Sequence, residues 1–149
     1  MMQETDCIFF QLAKANQLAS RFLSQKVSEL NLTPVQALVL GFLNQEDQIT
    51  SAELGKKTEL DSATLTGILD RLETAGLIER KSNPDDRRSI HIYLTPKGNE
   101  LSREAIGAIV TANVEFLQVL TKEQKRQLFE IIKKLRLTPR ADKGGRKEE

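Results

Sequence analysis

Hydrophobic positions along the 149-residue chain recur with two different periods. Near the start, Ile8, Phe9, Leu12, Phe22, Leu23, Val27 and Leu30 return at steps of mostly three, four and seven, which predicts a long helix over residues 8–30. Thr33-Pro34-Val35-Gln36 reads as a helix start: Thr33 caps, Pro34 suits the first helical position and Gln36 completes a capping box. Val35, Leu38, Val39, Phe42 and Leu43 form the apolar stripe of that helix, and the polar residues 44–48 read as a connection. Thr50-Ser51-Ala52-Glu53 is a second capping box, opening a helix of about two turns that ends near Lys57. After a tight link at 58–60, Asp61 caps a helix over 62–75, and Gly76 is placed to stop it in a left-handed conformation.

The period then changes to two. Residues 77–81 and 89–94 predict two strands; in the second, Ile90, Ile92 and Leu94 alternate with Ser89, His91 and Tyr93, so one face is expected to be buried and His91 to point outward. Ser82-Asn83-Pro84-Asp85-Asp86-Arg87-Arg88 lies between them, too long for a tight turn and too charged for burial, and is expected to project as a loop. Thr95-Pro96 opens another helix over 97–119, with Ile106, Ile109, Ala112, Phe116, Leu117 and Leu120 on its apolar side. Thr121-Lys122-Glu123-Gln124 caps a last helix carrying Leu128, Phe129, Ile131, Ile132 and Leu135, and residues from 138 onward are expected to form a disordered tail. The expected fold is mostly α with a small β-hairpin.

Composition narrows the function classes. At 39% hydrophobic and 29% charged residues the chain is globular in character. It has no apolar run long enough to span a membrane and no basic stretch before an apolar core at its start, so no membrane or secretory element is expected and the cytoplasm is the expected location. One cysteine and one histidine exclude a disulfide framework and a multi-ligand metal site; no cofactor is expected. No Gly-rich phosphate loop, paired acid site or nucleophile beside a histidine suggests an enzyme. With 22 Lys+Arg against 21 Asp+Glu, the net charge of +1 stands against nucleic-acid binding until it is counted by segment. Residues 33–76 carry −4, whereas 77–98 carry +2, so a short basic stretch sits inside a neutral chain.

Two short helices, a tight link and a ribbon with a long basic loop form the order of a winged helix-turn-helix, whose second helix fits the major groove of DNA. On the 62–75 helix Leu65, Ile68, Leu69 and Leu72 share one side. The rest is mostly small, with Ser62 and Thr64 near the helix start able to bond phosphates or bases and Arg71 able to take a phosphate or a guanine. Asp70 and Glu73 are wrong-signed for DNA. In the loop, Asp86 stands two residues before Arg88 and is suited to hold its guanidinium in one direction, toward a narrow, electronegative minor groove.

Residues 60–98 resemble the core motif of the MarR family of bacterial regulators through Arg71-Leu72-Glu73, Gly76-Leu77-Ile78, Asp86-Arg87-Arg88 and Leu94-Thr95 with Gly98, and the helix order extends the resemblance over about residues 5–137. It implies a single domain over 5–137, with dimerisation helices at 5–30 and 97–136 around a winged helix-turn-helix lobe at 33–95. It implies a homodimeric transcriptional regulator, a repressor, reading a palindromic double-stranded operator. Carried over by position, the groove contacts would be Ser62, Ala63, Thr64, Gly67 and Arg71; the wing contact would be Arg88, oriented by Asp86, with Arg87 on phosphate. The apolar content of the outer helices supports a two-fold partner independently.

Members of that family are commonly released from DNA by small aromatic or phenolic acids, and Phe9, Leu12, Phe22 and Phe42 are candidates to line such a cavity or simply to fill the core. Others are released by oxidation of a cysteine near the start of the first helix. Cys7 invites that reading, although its neighbours Ile8, Phe9 and Phe10 offer the thiolate no hydrogen-bond donor and the sole tyrosine, Tyr93, lies in the wing. A winged helix used as a protein–protein interaction module would instead account for the acidic 33–76 segment.

Overall fold

The structure, a computed structural model, describes residues 7–83 and 90–137. The chain divides into two compact units, one ending at Phe116 and one beginning at Leu117. The first contains helix α1 (Ile8–Val27), a 3-10 turn (Ser28–Leu30), α2 (Pro34–Gln45), strand β1 (Ile49–Thr50), α3 (Ser51–Thr58), α4 (Ser62–Thr74), β2 (Ile78–Ser82), β3 (Ile90–Leu94) and α5 (Pro96–Phe116). The second contains α6 (Lys122–Arg136). No helix among the described residues is long and apolar enough to cross a membrane.

The helix starts follow local chemistry. Thr33 with Gln36, Thr50 with Glu53 and Thr121 with Gln124 each form both halves of a capping box. The ends depart more from expectation. The first helix gives way at Val27 to a 3-10 turn that Asn31 closes in the left-handed region at φ 55°, and α5 stops at Phe116 instead of continuing to 119.

The sheet has three strands in the order β1-β3-β2, not a hairpin alone. Ile49 pairs with Ile92 and Thr50 with His91, both antiparallel. Capping α3 holds Thr50 extended (φ −76°, ψ 160°), which leaves this short backbone free to cover an edge of β3. The alternation expected in β3 holds only in part. Ile92 is buried, but Ile90 is 52% exposed because it faces Ser82 at the far end of the hairpin, beyond the packed helices. His91 does not point freely outward: on the central strand between Thr50 and Lys81 it is half-buried, and its Nδ1 is out of solvent without a hydrogen-bond partner among the described residues.

The core gathers Leu40 and Leu43 of α2, Leu54 of α3, Leu65, Leu69 and Leu72 of α4, and Ile78 and Ile92 of the sheet. The α4 stripe is buried as the period-3.6 pattern requires. In α2 the buried set is Ala37, Val39, Leu40, Gly41 and Leu43, while Val35 and Leu38 of the expected stripe lie exposed. Ser102 pins α5 to α2: its fully buried hydroxyl accepts from Asn44 Nδ2 (2.9 Å) and donates to the Asn99 carbonyl (2.7 Å), so it carries no unsatisfied group.

The tightest junction lies where α4 ends and α5 begins. Gly76 turns at φ 71°, and the amides of Gly76 and Leu77 return to the carbonyls of Glu73 and Leu72 (both 2.9 Å). Thr95 then bridges: its amide donates to the Leu77 carbonyl (3.1 Å), its hydroxyl donates to the Gly76 carbonyl (2.8 Å) and accepts from the Gly98 amide (2.9 Å). A Cβ at Gly98 would stand 1.8 Å from the Leu77 carbonyl oxygen, so only glycine fits. Gly98→Ala is therefore expected to destabilise the fold by ~3 kcal/mol or more, measured by denaturant unfolding, since backbone must move to admit one methyl group.

Candidate nucleic-acid interface

The outward face of α4 is defined by its cap and its stripe. Asp61 accepts from the Thr64 amide (2.9 Å) and the Thr64 hydroxyl (2.6 Å), bonds that hold its carboxyl below the ordinary value of 3.8. Opposite the buried leucines, Ala63, Gly67, Asp70 and Thr74 run along the middle of the exposed face at helical spacing. Ser62, Thr66 and Glu73 lie on one flank, Thr64 and Arg71 on the other.

Close approach is built into this face. Nothing lies within 4 Å of a Cβ placed at Gly67, so the position is open space on an exposed helix interior. A glycine there costs about 0.8–1 kcal/mol of helix stability relative to alanine. Hydroxyl protons are committed within the helix: Thr66 donates to the Ser62 carbonyl (2.7 Å) and Thr74 to the Asp70 carbonyl (2.8 Å), leaving their oxygens outward as acceptors. The Ser62 side chain has no partner among the described residues.

Arg71 is exposed at the edge of this face. It lines a cavity of about 270 Å³ together with Asn31, Gln36 and Lys97 over a floor that includes Leu72 and Leu77. Asp70 and Glu73, wrong-signed in the sequence, are both paired with Arg80 of β2: its Nη1 donates to Asp70 Oδ1 (2.7 Å) and to Glu73 Oε2 (2.8 Å). Sequence reading missed Arg80; the signal was an acid pair three residues apart, with a basic residue on the strand just after the Gly76 turn. It also missed Lys56, which with Ser51, Gly55 and Ser62 borders an open cleft of about 470 Å³ between α3 and α4.

At the root of the loop, Lys81 Nζ lies 5.2 Å from the Tyr93 ring centre and 2.7 Å from Glu79. Asp86, Arg87 and Arg88 lie outside the described residues. The four candidate cavity residues are not brought together. Phe9 is 80% exposed and Leu12 is exposed, Phe42 is half-buried against the core, and Phe22 lines an apolar cavity of about 180 Å³ with Leu23, Ile109, Ala112 and Phe116. Cys7 is half-buried at the N-cap of α1 and makes no side-chain capping bond.

Comparison with known proteins places this geometry in a wider set. A family model described as the MarR family matches residues 30–89. The organic hydroperoxide resistance transcriptional regulator of Bacillus subtilis is 34% identical over 106 residues, 71% of this chain and 71% of that protein. The HTH-type transcriptional repressor MdtR of the same organism is 30% identical over 133 residues, 84% of this chain and 86% of that one. The crystal structure of a MarR mutant from E. coli complexed with operator DNA is similar with a TM-score of 0.81 and 28% identity, covering 91% of this chain and 99% of the other.

Two outcomes follow from the α4 geometry alone. Gly67→Ala is expected to raise stability by about 1 kcal/mol in thermal or denaturant unfolding, because the added methyl meets only open space. Stabilisation by the Asp61 cap is present above the carboxyl's unfolded-state pKa and is lost as pH falls through the lowered native value. In Asp61→Asn this part of the acid dependence is expected to vanish from unfolding curves taken across pH 2–5, a window set by roughly the ordinary aspartate range.

Proposed function

Because the chain belongs to the MarR family, we propose that this transcriptional regulator, a repressor acting in the cytoplasm and not an enzyme, binds a palindromic operator as a homodimer. The observation that carries the reading is the outward face of α4, small and open at Gly67, edged by Ser62, Thr64 and Arg71, and rooted beside the strands of the wing. In this reading α4 enters the major groove, with Ala63 and Gly67 allowing its backbone close to the base edges. Ser62 and Thr64 take phosphates or bases near the helix start, and Arg71 takes a phosphate or guanine from the edge. Arg88, oriented by Asp86, enters the flanking minor groove while Arg87 neutralises a phosphate.

The homodimer is supported by unpartnered apolar surface on the helices outside the lobe. In α1 only Val27 is buried, and Ile8, Phe9, Leu12 and Leu18 face solvent. In α5, Val110 and Val114 do the same, and α6 buries no residue at all despite Phe129, Ile132 and Leu135. A second copy covering these faces would give the two lobes the symmetry of a palindrome.

Response to a small aromatic or phenolic acid is supported by the cavity beside Arg71, where two cations and two amides stand over leucines and, among the described residues, no carboxylate lines the wall. An anionic ligand with an apolar body suits such a lining. Occupancy would engage Arg71, one of the side chains assigned to DNA.

Selection of bound sequences from random DNA is expected to return a two-fold-symmetric site, with affinity falling steeply as salt rises. No binding to any duplex at low salt would favour a protein–protein module instead. On the selected site, Arg88→Ala is expected to weaken binding by about ten-fold or more, and Gly67→Ala to weaken it while stabilising the free protein. Salicylate-like acids are expected to release the duplex, and Lys97→Ala to blunt that release with operator affinity retained; release unaltered in Lys97→Ala would remove the cavity from the reading.

A further inference from the structure

Asp70 and Glu73 are the two carboxylates on the exposed side of α4, and a duplex approaching Ala63 and Gly67 would meet negative charge there. Both are tied to a single side chain. Arg80 Nη1 lies 2.7 Å from Asp70 Oδ1 and 2.8 Å from Glu73 Oε2, and the Arg80 main-chain amide donates to Glu73 Oε1 at 3.2 Å. Glu73 thus grips strand β2 by backbone and side chain at once.

The placement of Arg80 makes the grip rigid. Arg80 stands opposite Ile92 in the ladder and two residues from Ile78, so all three share the sheet face that packs on the core, where Ile78 and Ile92 are each 1% exposed. Its side chain keeps 25% of its exposure, against 58% for Asp70 and 40% for Glu73. The cation is thus fixed at the edge of the core, and the carboxylates bend back to it. The trio still carries one net negative charge, so Arg80 is not a spare cation for a phosphate.

Resting on the reading of α4 and the wing as a DNA-binding surface, we propose that Arg80 is a positioning residue for operator recognition. It draws Asp70 and Glu73 back toward β2 and fixes the rotation of α4 relative to the wing, without touching DNA itself. Charge-assisted bonds of this kind are short and directional, so they set geometry as well as cancel charge. Like charges left facing the duplex would oppose binding.

The test compares operator affinity of the full chain in four forms: wild type, Arg80→Met, Asp70→Asn/Glu73→Gln, and the triple variant. Measurements are made by fluorescence anisotropy at a temperature where circular dichroism shows each form folded. Arg80→Met keeps an unbranched stem beside Ile78 and Ile92, so packing is largely conserved. It is expected to bind about ten-fold or more weakly, because two carboxylates are released toward the phosphates. The triple variant is expected to return to within about two-fold of the double variant, because with no acids to restrain Arg80 has nothing left to do.

A triple variant as far below the double as Arg80→Met is below wild type would overturn the proposal, since Arg80 would then contact DNA directly. Wild-type affinity in Arg80→Met would overturn it equally. Should Arg80→Met fail to fold, comparison of the triple with the double variant decides alone, equality supporting and weakness refuting. Failure of the wild-type chain on every duplex would sink the underlying DNA-binding reading, an outcome separate from these.

Discussion

One close approach governs how the lobe is assembled: the backbone of Gly98 lies against the carbonyl of Leu77 with no room for a side chain. At this point the end of α4, the start of β2, the end of β3 and the start of α5 all converge. Thr95 supplies the polar half of the junction, bridging the Gly76 carbonyl and the Gly98 amide through one hydroxyl. The direction in which the wing leaves the helices, and the direction in which the long α5 leaves the wing, are set within a few residues. The relation of α4 to the strands and to α5 is set at this junction.

Features decided by neighbours in sequence were legible in the sequence. Three capping boxes formed as written because both partners sit three residues apart and need nothing else. The buried stripe of α4 and the stop at Gly76 were equally local. Features decided across space were not. Strand β1 is two residues long and exists only because β3 offers an edge, and Ile90 is exposed only because the hairpin outruns the helices there. The candidate contacts Ser62, Ala63, Thr64, Gly67 and Arg71 fall on or beside one exposed face, as helical spacing requires. The partnership of Arg80 with Asp70 and Glu73 joins residues up to ten apart across a turn, and no periodicity reveals it.

The charge pattern takes a different meaning once these pairs are known. The acidic 33–76 segment and the basic 77–98 segment are not independent patches that average to neutrality. Part of each is committed to the other through Arg80, and Lys57 is committed to Glu46.

The two residues of β1 carry a mechanical consequence. Thr50 pairs with His91 through its backbone and caps α3: its hydroxyl accepts from the Glu53 amide (3.2 Å) and its amide donates to Glu53 Oε2 (2.7 Å). The central wing strand and the first turn of α3 therefore share one residue as a common hinge pin. A shift of β3 at His91 therefore reaches the residue that caps α3. The position of β3 and the first turn of α3 are thus coupled through that one residue.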